Sequence, residues 1–218
     1  MTVIDASESP LYAVETAGPE ETGAQAATIF QKYFRRHRSV LLLLDGAMGS
    51  GKTTFVSQLG RMIEFAGIIN SPTFNLLNIY EGKSGTIYHY DLYRLGDASE
   101  LYELDFLDRW AAHTRLVERS AAEPNAGQKN AGALENQPTQ PFIELHAIEW
   151  WRKARELIPH LPVHGNYRLE ISVPPSDGSH AGMGILNAFS KKSAEQTNLF
   201  DPDAAERRRL TLFEVKNG

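Results

Sequence analysis

The chain has 218 residues, 42% apolar and 22% charged, with a net charge of −5 and no cysteine. This length suits one ordinary domain with appendages, and the composition excludes a disordered chain, a collagen-like fibre and a coiled coil. Disulfides, thiolate zinc sites and cysteine catalysis are excluded too, and the longest apolar run, Val40–Leu44, is far below the roughly 20 residues of a membrane span. Met1–Pro10 lacks the basic and apolar regions of a signal peptide, so a cytoplasmic protein is expected.

Residues 1–31 hold Asp5, Glu8, Glu15, Glu20 and Glu21 and no Lys or Arg. Lys32, Arg35, Arg36 and Arg38 then arrive together around His37. Ala27, Phe30 and Phe34, three and four apart, predict one helix, acidic at its start and basic at its end, as the helix dipole favours. The four cations read as a solvated helix end rather than a nucleic-acid patch. Val40–Leu44 then predicts a buried strand, and Lys52 to about Ala66 a helix stopped by Gly67. Thr73–Tyr80 and Thr86–Tyr90 predict strands joined as a hairpin by Glu81-Gly82-Lys83-Ser84-Gly85. Asp97–Trp110 reads as a helix, with Asp97 and Glu100 spaced as a capping box.

Residues 120–141 change character, with Leu134 as the one large aliphatic side chain and three prolines, and predict a flexible loop or insertion. Order returns with a strand over Phe142–Ile148, a helix over Trp151–Ile158 and a strand over Tyr167–Val173. Pro174–Gly184 reads as a polar loop, and 185–189 and 208–215 as short strands. The expected organisation is a domain over 1–175 and a partly ordered extension over 176–218.

Gly46-Ala-Met-Gly-Ser-Gly51-Lys52-Thr53 matches the phosphate-loop pattern G-x-x-x-x-G-K-[ST] at every fixed position. Its glycines let backbone N–H groups from Gly46 and Met48 through Thr54 form a concave anion site, completed by the positive end of the following helix. Lys52 brings a point charge to the β- and γ-phosphates, and the Thr53 hydroxyl can ligate Mg²⁺. The strand before the loop and the helix after it supply the context this motif requires. The predicted fold is therefore α/β, a P-loop NTPase-like three-layer arrangement with a mostly parallel or mixed central sheet.

Hydrolysis also needs an acid to anchor the metal and a group to position water. Asp91 and Glu149 each end a predicted strand, where α/β sheets bind ligands. Sequence leaves open which of them meets the metal. N-K-x-D and D-x-x-G are both absent, which disfavours a GTPase and makes ATP the expected nucleotide.

Beside the loop stand Ser71-Pro72-Thr73-Phe74-Asn75-Leu76, His89-Tyr90-Asp91-Leu92-Tyr93-Arg94-Leu95 and Ile148-Glu149-Trp150. In order and spacing these motifs resemble the TsaE (YjeE) family, P-loop ATPases of bacterial tRNA threonylcarbamoyladenosine biosynthesis, over about residues 15–160. The resemblance implies an ATPase that works with TsaB and TsaD, meets tRNA indirectly through that complex, and has no membrane or direct DNA role. It also implies Mg²⁺ on Thr53 and Glu149, Asp91 orienting water, Thr73 in a switch-like loop, and Trp150 beside the nucleotide. Ala47 stands where the family usually has an acid, Trp151 where it has a proline, and the 120–141 segment reads as an insertion. The rival readings are a small P-loop kinase acting on a nucleotide or metabolite, and a nucleotide-gated assembly module. The seven histidines show no metal-ligand spacing and read as surface or packing residues.

Overall fold

A computed structural model describes residues 9–97, 100–101, 142–156, 158, 165–174 and 207–215. Along these residues run β1 (Tyr12–Thr16), α1 (Pro19–Ile29), a π-helical turn (Phe30–Phe34), β2 (Ser39–Asp45) and α2 (Lys52–Met62). There follow β3 (Leu77–Glu81), β4 (Gly85–Asp91), β5 (Ile143–Glu149), a 3₁₀ turn (Trp151–Ala154), β6 (Gly165–Ser172) and β7 (Arg208–Glu214). The strands form one sheet in the order β1-β7-β6-β2-β5-β4-β3.

Strand β2 is the axis of the sheet. It runs parallel to β5 and β6 on either side, β4 runs parallel to β5, and β1, β7 and β3 pair antiparallel. Its Val-Leu-Leu-Leu-Leu run is buried on both faces, as a central parallel strand requires. Val40, Leu42 and Leu44 pack with Ile29, Phe34, Phe55 and Leu59 of the helical layer. Leu41 and Leu43 pack with Tyr90, Leu92, Ile148 and Trp151 on the opposite face. The sheet is therefore mixed, and both of its faces are covered.

Several elements differ from their sequence patterns. The first helix is not one α-helix running to the basic cluster: it ends at Ile29, and Arg35 N donates to Phe30 O in a π-type turn. That turn brings Phe30, Tyr33 and Phe34 together onto the core, while Ala27, expected on the buried face, is half-buried. Helix α2 stops at Met62 rather than near Gly67. Glu64 takes the left-handed position (φ 59), Glu64 N bonds Arg61 O and Phe65 N bonds Gly60 O, which is a Schellman close without its usual glycine. The predicted strand from Thr73 begins only at Leu77. Pro72 O accepts from both Asn75 N and Leu76 N, so Thr73–Asn75 are spent on a turn.

Trp151–Ala154 is a 3₁₀ turn rather than the start of a longer helix. Gly96 N and Asp97 N both donate to Glu100 Oε1, which is the glutamate half of the expected capping box. The rest of that helix, the 120–141 insertion and the strand at 185–189 lie outside the described residues. The strand expected at 208–215 is β7, which joins the same sheet between β1 and β6. Among the described residues no helix is long and apolar enough to cross a membrane.

Candidate nucleotide site

Three strands deliver acids to one edge of the sheet. β2 ends in Asp45, β4 in Asp91 and β5 in Glu149, with Asp91 and Glu149 in direct register and Leu44 opposite Glu149. The loop after β2 turns back beneath this edge. At Gly46 (φ 151) a Cβ would meet Ile171 O at 2.6 Å, so the loop passes β6 too closely for any side chain. Gly51 (φ 105) caps α2 from the left-handed region and offers no side-chain cap to its first N–H groups. Those orphan donors and the helix dipole make the start of α2 an anion site.

A cleft of about 290 Å³ opens above it. Met48, Gly49, Gly51, Lys52, Thr53 and Thr54 form its floor, and Thr73, Asp91, Glu149 and Trp150 form its walls. Gly46 and Ser50 do not line it. Both border a neighbouring cavity on the β6 side, and Ser50 O accepts from Arg208 Nε at 3.0 Å.

Lys52 is almost wholly buried, so its charge must be answered. Its Nζ donates to Gly46 O and Ala47 O, each at 3.0 Å, lies 3.7 Å from Glu149 Oε2, and sits 5.7 Å from the centre of the Trp150 ring. Thr53 Oγ1 donates to Glu149 Oε1 at 3.0 Å. Asp91 is engaged elsewhere. Its Oδ2 accepts from Thr73 Oγ1 at 2.6 Å and Ser71 Oγ at 2.9 Å, and its Oδ1 from Tyr93 N at 3.0 Å. The structure thus joins Thr53 to Glu149 and Thr73 to Asp91.

Trp150 has a left-handed backbone (φ 57), a strained choice for an aromatic residue. Its ring lies 5.1 Å from that of Tyr93 at the mouth of the cleft. Trp151 turns the other way, into the core, where Nε1 donates to Asp45 Oδ1 at 3.0 Å.

One residue passed over in the sequence belongs to this site. His89 is fully buried, and its Nε2 lies 2.9 Å from Glu149 Oε1. A carboxylate only accepts, so Nε2 carries the proton. The signal was available: His89 stands two residues before Asp91 on one strand and so shares its face. Ser71 is a second addition, visible only once its loop folds over Asp91.

The donors suit a hard divalent cation of the Mg²⁺ type. Thr53 and Glu149 offer a hydroxyl and a carboxylate oxygen at the foot of an anion site. Mg²⁺ characteristically takes few protein ligands and completes its shell with phosphate oxygens and water. Among the described residues no cluster of three or more His, Cys, Asp or Glu side chains offers a self-contained metal cage.

The profile of the family described as "TsaE: Threonylcarbamoyl adenosine biosynthesis protein TsaE" matches residues 16–135, more than half of the chain. The chain is 45% identical over 82 residues to the tRNA threonylcarbamoyladenosine biosynthesis protein TsaE of Rickettsia conorii, covering 37% of this chain and 46% of that relative. It is 39% identical over 90 residues to the protein of the same name from Bacillus subtilis, covering 41% and 55%. The chain thus matches about half the length of these curated relatives. The crystal structure of Bacillus subtilus YdiB aligns with a TM-score of 0.49 at 20% identity, over 98% of this chain and 90% of that one.

Proposed function

The chain belongs to the TsaE family, and on that premise we propose that it binds and hydrolyses ATP with Mg²⁺ in the cytoplasm. It does so as the ATPase component of tRNA threonylcarbamoyladenosine biosynthesis, acting with TsaB and TsaD. The observation that carries the reading is the convergence of Lys52, Thr53 and Glu149 at the uncapped start of α2.

Each residue then has a task its surroundings support. The orphan N–H groups of the loop and Lys52 hold the phosphates and oppose the charge that grows on them during transfer. Thr53 and Glu149 would hold Mg²⁺, which would neutralise phosphate charge. His89, hydrogen-bonded to Glu149 Oε1, would keep that carboxylate in place for the metal. Asp91, at the opposite wall, accepts a hydrogen bond from the attacking water and so orients it. Thr73 and Ser71 hold Asp91 and make their loop sensitive to what occupies the cleft. Thr54 borders both this cleft and a second cavity of about 240 Å³ lined by Pro19, Thr22 and Arg208. Trp150, at the mouth of the cleft, would lie beside the bound nucleotide.

The test is co-purification with TsaB and TsaD, followed by ATP hydrolysis and tRNA modification over repeated turnovers. The expected result is hydrolysis that rises in the complex and sustains turnover. Transfer of phosphate to a small acceptor would replace this reading with a kinase. Negligible hydrolysis in a complex that still assembles would replace it with a nucleotide-gated module.

A further inference from the structure

The far edge of the sheet carries charge that the nucleotide site does not use. Lys32, Arg35, Arg36 and Arg38 are all exposed around the amino end of β2. Strand β2 spans about 20 Å, so this edge lies well away from the phosphate loop at its carboxyl end. The chain's formal charge is −5, so without these four cations the remainder is −9. Positive charge is therefore gathered here against the average of the molecule.

None of the four forms an ion pair with a carboxylate among the described residues. Lys32 Nζ rests over the Tyr33 and Tyr12 rings at 5.2 and 5.9 Å, and Arg35 donates to Gln31 Oε1 at 2.8 Å. Arg36 is anchored from below by Tyr167, a fully buried residue. The Tyr167 hydroxyl donates to Tyr33 O at 3.2 Å and meets Arg36 Nη2 at 3.1 Å and His37 Nε2 at 2.9 Å. Glu214 acts on Arg36 through space, without an ion pair. The π-helical turn is what crowds these side chains together, because it ends α1 early and directs Phe30, Tyr33 and Phe34 inward.

We propose that this edge is a docking surface for the phosphate backbone of RNA. Guanidinium groups without a carboxylate partner are what phosphate contacts require, and several of them positioned together give affinity without base readout. A protein partner is the poorer fit. Interfaces of that kind are built on a buried apolar centre, and here Leu11 and Phe142 stand singly at the margin. The exposed Met48, Phe74, Tyr93 and Trp150 lie instead around the cleft. The inference rests on the tRNA-modification reading for its choice of polyanion. It puts RNA in direct contact with this chain rather than only with its partners.

The experiment is an anisotropy titration of labelled, unmodified tRNA with the full chain across a salt series. Lys32→Ala/Arg35→Ala/Arg38→Ala is the main variant, because it leaves the Arg36–Tyr167 contact intact. Its thermal midpoint is checked alongside. The expected result is salt-sensitive binding that the triple variant weakens at least about tenfold, with the salt slope falling by roughly 2 to 3. Arg94→Ala, which removes an exposed cation at the carboxyl edge instead, should bind tRNA as the parent does. Equal binding by parent and triple variant, an equal loss on Arg94→Ala, or poly-glutamate competing as well as RNA would each overturn the proposal. ATP turnover with TsaB and TsaD in the absence of tRNA binding would refute the docking surface alone. Binding at this edge with no turnover would refute the ATPase reading alone.

Discussion

The two edges of the sheet handle charge in opposite ways. At the carboxyl edge Lys52, Glu149, His89 and Asp91 are buried, and each is held by another or by the loop. At the amino edge Lys32, Arg35, Arg36 and Arg38 face solvent with no carboxylate partner among the described residues. The lesson concerns coupling. Removing one buried charge strands its neighbours, whereas removing one exposed charge alters a sum. Substitutions at the first edge should therefore be severe and non-additive, and those at the second mild and additive.

The largest effect is expected from Lys52→Ala. It deletes two charge-assisted bonds in the loop and leaves Glu149 buried beside His89 without its cation. ATP affinity measured by calorimetry should fall by more than about 100-fold. Unchanged affinity would mean that the carboxyl edge is not the nucleotide site. Next comes the ranking of the two acids. Glu149→Ala should weaken Mg²⁺-dependent ATP binding more than Asp91→Ala, because Thr53 meets Glu149 and not Asp91. The reverse order in a Mg²⁺ titration would move the metal to the other wall.

A smaller and sharper effect is expected at His89. His89→Leu removes one of the two donors on Glu149 Oε1, Thr53 being the other, and should raise the Mg²⁺ needed for half-maximal ATP binding about tenfold, a loss of about 1–3 kcal/mol for a buried hydrogen bond to a charged group. His89→Gln, which restores an N–H, should recover most of it. Equal losses in both variants, with or without Mg²⁺, would reduce His89 to packing.

The mildest prediction lies on the opposite face of the sheet. Burial pushes the Glu144 carboxyl up to about 7 from its ordinary 4.5. The folded state therefore favours the protonated acid. The stability this contributes is complete below about pH 4.5 and is lost as pH rises through about 7. Glu144→Gln stays neutral and should flatten that decline in denaturation midpoints; an unchanged profile would place its origin elsewhere.

Much of the carboxyl edge was legible in the sequence because its signals are local. A five-residue apolar run, a glycine-rich turn and an acid at the end of a strand each declare themselves within a few positions. The remainder depends on contacts distant in the chain. Thr73 reads as strand by residue type, but Asp91, 18 positions away, draws it into a turn. Glu64 ends α2 because Phe65 and Ser84 close on that helix end, a role the sequence pattern gave to Gly67. His89 looked like one scattered histidine until β4 and β5 came into register and set it against Glu149, 60 positions on. At the amino edge the charges were plain, but their exposure and ordering were not. Those depend on a π-helical turn and on Tyr167, which sits 131 positions from Arg36.

The adjacent tryptophans have an optical consequence. Trp151 is sealed in the core, while Trp150 is half-exposed, tilted against Tyr93 and close to the Lys52 ammonium group. Indole emission is sensitive to a nearby cation and to solvent, so the two rings make an indicator and an internal standard. In a Trp110→Phe background, a shift in emission on adding ATP reports Lys52 leaving the Trp150 ring, and Trp151 provides the constant signal against which it is read. The cleft can thus be followed in real time without a label.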